Sequence, residues 1–350
     1  MLFLSYKSRK KTENYIYMLT FKDFKSDQQV RWCAGCGDHA ILNTLQKAMA
    51  ESGKSKEETV VISGIGCSSR LPYYVDTYGF HTIHGRAAAI ATGVKTANPD
   101  LSVWQISGDG DALAIGGNHF IHAIRRNIDI NILLFNNQIY GLTKGQYSPT
   151  TAKGCKTKSS PFGTVEEPFR PGELVMGARG QFFARTIDVD LPNSKDIFLA
   201  ADAHKGASVV ESLQNCVIFN DKVHAAIVDK EHRADRTIFL KHGEPMIFGK
   251  NRDKGLIADG LRIKVAEIGK DGITEADILV HDAHDIDATT HTQLANLQYP
   301  DFPVVLGIIR DVDMETYDAA VATQIAEVEG KAKINSLDEL LNSGHTWTVN

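Results

Sequence analysis

Val103-Trp104-Gln105-Ile106-Ser107-Gly108-Asp109-Gly110-Asp111, followed by a second apolar run from Ile128 to Phe135 that leads into Asn136-Asn137, decides how this chain folds. Both runs are short and rich in β-branched and aromatic residues, the composition of strands buried on both faces. A helical pattern from Asn118 to Arg126 separates them, so the segment reads as strand, helix, strand, one unit of a parallel α/β sheet. Asp109 and Asn137 then fall just past the carboxyl ends of neighbouring strands, where open α/β sheets bind ligands.

The same alternation extends in both directions. Upstream, Val60-Val61-Ile62 reads as a strand, and Ala40 to Ala50 and Ala87 to Ala97 read as helices, the second closed by Asn98-Pro99. Downstream, Lys144 to Pro192 is rich in Gly, Pro, Ser, Thr and charge and reads as surface loops around a short helix near Leu174 and a strand near Phe182. Ser194 to His204 reads as helix, and Ala207 to Glu211 as a strand that delivers Gln214-Asn215-Cys216. The expected organisation is an N-terminal extension over 1–29, with Met18 an alternative start, an α/β domain over 30–236, and a C-terminal segment over 237–350. That last segment carries short strands such as Val304 to Ile309 and a helix near Leu337 to Leu341, and reads as an appendage.

Composition narrows the class. At 350 residues, 43% hydrophobic and 23% charged, the chain can bury a full core without crosslinks, and no apolar run approaches the ~18 residues of a membrane span. A net charge of -5 leaves no basic excess for nucleic-acid phosphates. The N-terminal MLFLSYKSRKK puts apolar residues before charges, the reverse of a secretory signal, so a cytoplasmic protein is expected. Five cysteines in such a chain are reduced thiols, free for metal or cluster chemistry.

Two constellations carry that chemistry. In the first, Asp109 and Asn137 offer two hard oxygens from one sheet edge, as Mg²⁺ bridging to a diphosphate requires. Gly108 and Gly110 let the backbone approach phosphate oxygens at the start of a helix. Taken alone, Gly-Asp-Gly also fits a tight strand-to-helix turn. A dinucleotide fingerprint fits less well, because Gly108-x-Gly110-x-x-Leu113 and Gly64-x-Gly66-x-x-Ser69 both lack the third glycine. In the second constellation, Cys33 and Cys36 form a C-x2-C pair that Cys67 and Cys216 complete to four thiols, a set suited to zinc or to a [4Fe-4S] cluster. Spacing leaves that choice open. His84 and Arg86 are candidates for binding a diphosphate or a substrate carboxylate, with a surface ion pair as the alternative for the arginine. His281-Asp282-Ala283-His284-Asp285 reads as a solvated loop, and Cys155 as an ordinary free thiol.

The stretch GDGDALAIGGNHFIHAIRRNIDINILLFNNQIYGLTKGQYSPTT, with its Gly-Asp-Gly and Asn-Asn pair, resembles the β subunits of 2-oxoacid:ferredoxin oxidoreductases, closest to the 2-oxoglutarate branch. The resemblance is dense from Val30 to Asp235 and looser through Phe302 to Val312. It implies a thiamine diphosphate-binding fold, a mostly parallel sheet flanked by helices. It further implies that Gly66, Ser68, Gly108, Asp109, Gly110, Asp111, Asn137, Ile139, Gly141 and Leu142 surround thiamine diphosphate. Asp109, Asn137 and the Ile139 carbonyl would hold Mg²⁺, and Leu142 would press on the cofactor. Arg70, His84 and Arg86 would serve catalysis, and Cys33, Cys36, Cys67 and Cys216 would bind a [4Fe-4S] cluster. Implied partners are an α subunit supplying the pyrimidine-binding glutamate, ferredoxin, a 2-oxoacid and coenzyme A. A non-redox thiamine enzyme with structural zinc, a pyruvate-specific oxidoreductase and a dedicated electron-transfer subunit stand as alternatives.

Overall fold

The computed structural model describes residues 19–334, 336–347 and 349. Among them eleven strands form two sheets. Chain order runs β1 (Thr59–Ser63), β2 (Tyr78–His81), β3 (Ser102–Gly108), β4 (Asn131–Asn136), β5 (Phe182–Ile187) and β6 (Ser208–Leu213), then β7 (Thr237–Leu240), β8 (Ile247–Phe248), β9 (Lys254–Asp259), β10 (Arg262–Glu267) and β11 (Val304–Asp311). The main sheet has the order β2-β1-β3-β4-β6-β5-β11-β7, and its first six strands are parallel. β11 runs antiparallel to β5 and parallel to β7.

Strand residues alternate between two cores. Val60, Ile62, Ile132 and Leu134 face α2 (Ala87–Ala97), α3 (Gly117–Arg125) and α4 (Pro171–Gly177), while Val61, Leu133 and Phe135 face α1 (Asp38–Glu51) and α5 (Leu191–Ala203). This is why the central strands are buried at almost every position rather than every second one. Each such side chain, fully withdrawn from water, contributes roughly 1.5–3 kcal/mol.

The register collects the functional loops. Gly108 pairs with Phe135, so Asp109 and Asn137 leave the sheet side by side. Asn136 pairs with Leu213, which brings Gln214 to Cys216 to the same edge, and Ser63 pairs with Ile106, which brings in Gly64 to Ser69. α1 starts at Asp38, directly after the C-x2-C turn.

Three expectations change. The N-terminal extension does not reach residue 29: Phe24 is fully buried, and its carbonyl accepts from the Asp76 N–H, so the chain from Leu19 onward packs on the core. Residues 1–18, with Met18, lie outside the described residues. The sheet crosses the boundary set at 236, because β7 and β11 form its far edge; only β8 to β10 form a separate antiparallel sheet. Nor is Lys144 to Pro192 purely surface, since Ser148, Thr150, Thr151 and Thr164 are buried. The sequence reading also passed over β2 and the helix Tyr317–Gly330, the latter exposed along almost its whole length.

Candidate active site

Asp109 follows β3 directly and is buried. Its Oδ2 accepts hydrogen bonds from Ser148 Oγ and Thr150 Oγ1, each at 2.5 Å. Burial raises its carboxyl pKa to about 6, against the pull of those two hydroxyls. Thr150 Oγ1 also lies 3.0 Å from Asn136 Oδ1, bringing the two strand ends together. Ser148 and Thr150 were not assigned a role from sequence. The available signal was a run of hydroxyls, Ser148-Pro149-Thr150-Thr151, soon after the Asn pair.

Around Asp109 the backbone is left open. Gly108 faces the Ser68 hydroxyl, which would lie 3.5 Å from a Cβ placed there, and Ser68 Oγ is buried with no partner among the described residues. Gly66 has a φ of 153° and open space where a side chain would stand. Gly110 does a different job: Tyr140 packs onto it and donates its hydroxyl to the Gly110 carbonyl at 2.9 Å, leaving no room for a side chain. Asn137 Oδ1 accepts the Ile139 N–H at 3.2 Å, and the Ile139 carbonyl accepts no hydrogen bond among the described residues. An orphaned buried hydroxyl, a glycine-lined gap and converging oxygens fit a diphosphate with its divalent cation.

Asp111 opens a turn of π-helix over Asp111–Ile115, a distortion common at functional sites. Its Oδ1 takes the Ile65 N–H at 3.1 Å, the Gly85 N–H at 2.7 Å and His84 Nδ1 at 2.6 Å. It therefore holds the Gly64–Ser69 and His84–Arg86 loops in place and fixes the imidazole. Its Oδ2, buried and without a partner among the described residues, occupies the space a Cβ on Gly64 would need.

A cleft of about 630 Å³ opens beside this edge, lined in part by Arg31, Ile65, Gly66, Ser69, Arg70 and Leu142. Its lining among the described residues includes no carboxylate. Arg86 is not part of it, because its guanidinium donates to the Gly85 and Ile115 carbonyls at 3.3 Å each; His84 lies outside the lining as well. Leu142 is 44% exposed and forms a wall shared with a second cavity.

That second cavity, about 270 Å³, is ringed by Cys33, Cys36, Cys67 and Cys216. Trp32 Nε1 donates to the Cys67 carbonyl at 2.7 Å and fixes that loop. Gly141 completes the wall: a Cβ there would touch Cys216 Sγ at 3.5 Å and Cys67 Sγ at 3.6 Å. Burial pushes the Cys67 thiol up to about 12 and the Cys36 thiol higher still, with the Asp38 carboxylate adding to both. Arg31, Arg70 and Lys144 line the cavity as well. Cys155 stands apart on the 152–164 loop, where its thiol lies 4.0 Å from the Lys156 carbonyl, outside the four-thiol cavity.

The histidine loop is wired differently. His281 Nε2 lies 2.9 Å from the Ile308 carbonyl, His291 Nε2 lies 2.7 Å from that of Asp282, and His284 Nδ1 lies 2.5 Å from that of Asp311. No group of three His, Cys, Asp or Glu among the described residues converges closely enough to hold a single metal ion.

Comparison with known proteins agrees with this geometry. Residues 64–212 match the family model for the C-terminal TPP-binding domain of thiamine pyrophosphate enzymes. The chain is 50% identical over 331 residues to 2-oxoglutarate oxidoreductase subunit KorB of Mycobacterium tuberculosis, covering 94% of this chain and 88% of that one. It is 48% identical over 185 residues to the 2-oxoglutarate synthase subunit KorB of Archaeoglobus fulgidus, covering 53% and 69%. Among solved structures it is similar to a chain of 2-oxoglutarate:ferredoxin oxidoreductase from Magnetococcus marinus with 2-oxoglutarate, coenzyme A and succinyl-CoA bound. That match has a TM-score of 0.75 and 30% identity, over 96% of this chain and 100% of the other. With these relatives and this sheet edge, the chain belongs to the family of β subunits of 2-oxoglutarate:ferredoxin oxidoreductases.

Proposed function

We propose that the chain carries both the thiamine diphosphate–Mg²⁺ and the [4Fe-4S] site of a 2-oxoglutarate:ferredoxin oxidoreductase, converting 2-oxoglutarate and coenzyme A to succinyl-CoA and CO₂ with reduction of ferredoxin. One observation carries this reading. A single loop, Asn137 to Leu142, runs from the diphosphate cradle to the wall of the four-thiol cavity, so the two sites stand side by side.

When bound, thiamine diphosphate supplies the carbanion and electron sink for decarboxylation, and an iron-sulfur cluster supplies one-electron transfer. This chain's residues hold and orient. Asp109, Asn137 and the Ile139 carbonyl offer oxygens to Mg²⁺; Ser68, Gly66 and Gly108 border the diphosphate; Leu142 forms the apolar wall between cleft and thiol cavity. A cluster suits this enzyme better than one zinc ion, because zinc is redox-inert and supplies no electron transfer. Arg31, Arg70 and Lys144 offset the net negative charge of a thiolate-bound cluster. Of the two arginines offered for the substrate carboxylate, Arg70 lines the cleft and Arg86 does not, so Arg70 is the one assigned to it. Since the cleft lining among the described residues has no carboxylate, the α subunit is assigned the glutamate that meets the aminopyrimidine. Among the described residues no helix is long and apolar enough to cross a membrane.

The test is anaerobic purification of the chain with its α subunit. About four irons per chain, visible absorption bleached by dithionite, and 2-oxoglutarate-dependent ferredoxin reduction are expected. One zinc and no colour would move the assignment to a non-redox thiamine enzyme, and turnover of pyruvate alone would move the substrate.

A further inference from the structure

Gln214 lies one residue past β6, wholly buried, between the Asn137 loop and the C-x2-C turn. Its side-chain amide touches both sites. Oε1 accepts from Asn137 Nδ2 at 2.9 Å, while Nε2 donates to the Asn215 carbonyl at 2.6 Å and to Cys36 Sγ at 3.2 Å. Its backbone N–H is held by the Asn136 carbonyl at 3.0 Å. The fit is close, since a Cβ on Gly37 would stand 3.0 Å from Gln214 Cγ.

The orientation of this amide is fixed by its neighbours. The Asn215 carbonyl can only accept, so the NH₂ group must face it, and the same NH₂ reaches the sulfur. The carbonyl end then faces Asn137 and compels that residue to present its own NH₂. Asn137 Oδ1 is thereby turned the other way, accepting the Ile139 N–H and keeping a lone pair for a cation. At the other end, an N–H directed at a ligating sulfur stabilises the more electron-rich state of a cluster, which raises its reduction potential.

We infer that Gln214 is a positioning residue shared by the two cofactor sites: it orients Asn137 Oδ1 toward the diphosphate-bound cation and hydrogen-bonds the Cys36 sulfur that ligates the cluster. The inference rests on the reading given under Proposed function. It couples the sites through one side chain, so that cation binding and cluster potential respond to the same residue but through different atoms.

Two variants separate those atoms. Gln214→Leu keeps most of the volume and removes both hydrogen bonds. Gln214→Glu keeps an oxygen acceptor for Asn137 Nδ2 and removes the N–H from the sulfur. Each is purified anaerobically with the α subunit, and two quantities are read: the midpoint potential of the cluster by redox titration followed by electron paramagnetic resonance, and the Mg²⁺-dependent affinity for thiamine diphosphate by calorimetry. Gln214→Leu is expected to shift the potential negative and weaken the affinity roughly 10–100-fold. Gln214→Glu is expected to shift the potential negative while its affinity stays near that of the parent. A parent potential in Gln214→Glu overturns the cluster half of the inference even if Gln214→Leu does not assemble. Loss of affinity in Gln214→Glu equal to that in Gln214→Leu overturns the Asn137 half. If the parent itself holds no cluster, the fault lies with the assigned function and not with Gln214.

Discussion

Two regions of this molecule gather four side chains of metal-binding type, and they could hardly be wired more differently. Cys33, Cys36, Cys67 and Cys216 surround a cavity of about 270 Å³, and the bond from Gln214 to Cys36 leaves the space between the thiols open. His242, His281, His284 and His291 stack and pack without such a space. His281, His284 and His291 each lie within hydrogen-bond distance of a backbone carbonyl, and His242 Nδ1 accepts the Ala283 N–H at 3.2 Å. Two of those carbonyls, on Ile308 and Asp311, belong to β11, so the imidazoles fasten the His281–Asp285 loop to the main sheet. What separates the regions is the shared opening: the four thiols line one cavity together, whereas the imidazoles pack against one another and against backbone.

The largest effect that distinguishes the regions is on iron. Cys67→Ser is expected to abolish the stable cluster and with it ferredoxin reduction by the assembled enzyme, whereas His284→Ala should leave the iron per chain unchanged. Metal analysis and visible absorption of the two variants side by side decide it. Equal iron loss in both would put the histidine loop among the metal sites and erase the contrast.

The next effect separates the thiol cavity from its neighbour. Asp109→Asn removes the anionic oxygen but keeps the hydrogen-bond acceptor for Ser148 and Thr150. Thiamine diphosphate affinity in the presence of Mg²⁺ is expected to fall by about 100-fold or more, with the cluster absorption retained. Calorimetry on the anaerobic protein measures the first and its spectrum the second. Loss of the cluster along with the affinity would mean that the two sites fold as one unit.

How much of this could be read from the chain follows from what each signal encodes. Strands buried on both faces announce themselves as continuous apolar runs, so β1, β3, β4 and β6 were legible, as was α2 to the residue. β2 was not: at the edge of the sheet, with Tyr78 and Phe80 exposed, it carries no burial pattern. Placing β7 and β11 in the main sheet depends on pairing with β5, a contact that local composition does not record. At the site, the glycines, acids and cysteines were legible because few other residue types do their chemistry. Ser148, Thr150 and Gln214 were not, because a serine, threonine or glutamine acquires its role only from the partner the fold brings to it. Arg86, beside the start of α2, places its Nη1 within 3.3 Å of two carbonyls and lies outside the cleft lining, an arrangement its charge alone does not announce.

The smallest expected effect concerns the histidine loop alone and tests whether its imidazoles are structural. Burial lowers the His281 pKa from the ordinary 6.5 to about 4; His291 and His242 push the same way, and the Ile308 carbonyl and Asp282 oppose them. A histidine depressed in the folded state binds fewer protons there than in the unfolded chain between those two values. Its contribution to stability is therefore complete above pH 6.5 and is lost as the pH falls through 4, by at most about 3 kcal/mol. Denaturant unfolding between pH 7 and 4 should show stability falling with acid in the parent and falling less steeply in His281→Gln, whose amide can still donate to the Ile308 carbonyl but takes up no proton. Parallel curves for the two proteins would mean that His281 is not held neutral by the fold, and the contrast between committed imidazoles and available thiols would lose its support on the histidine side.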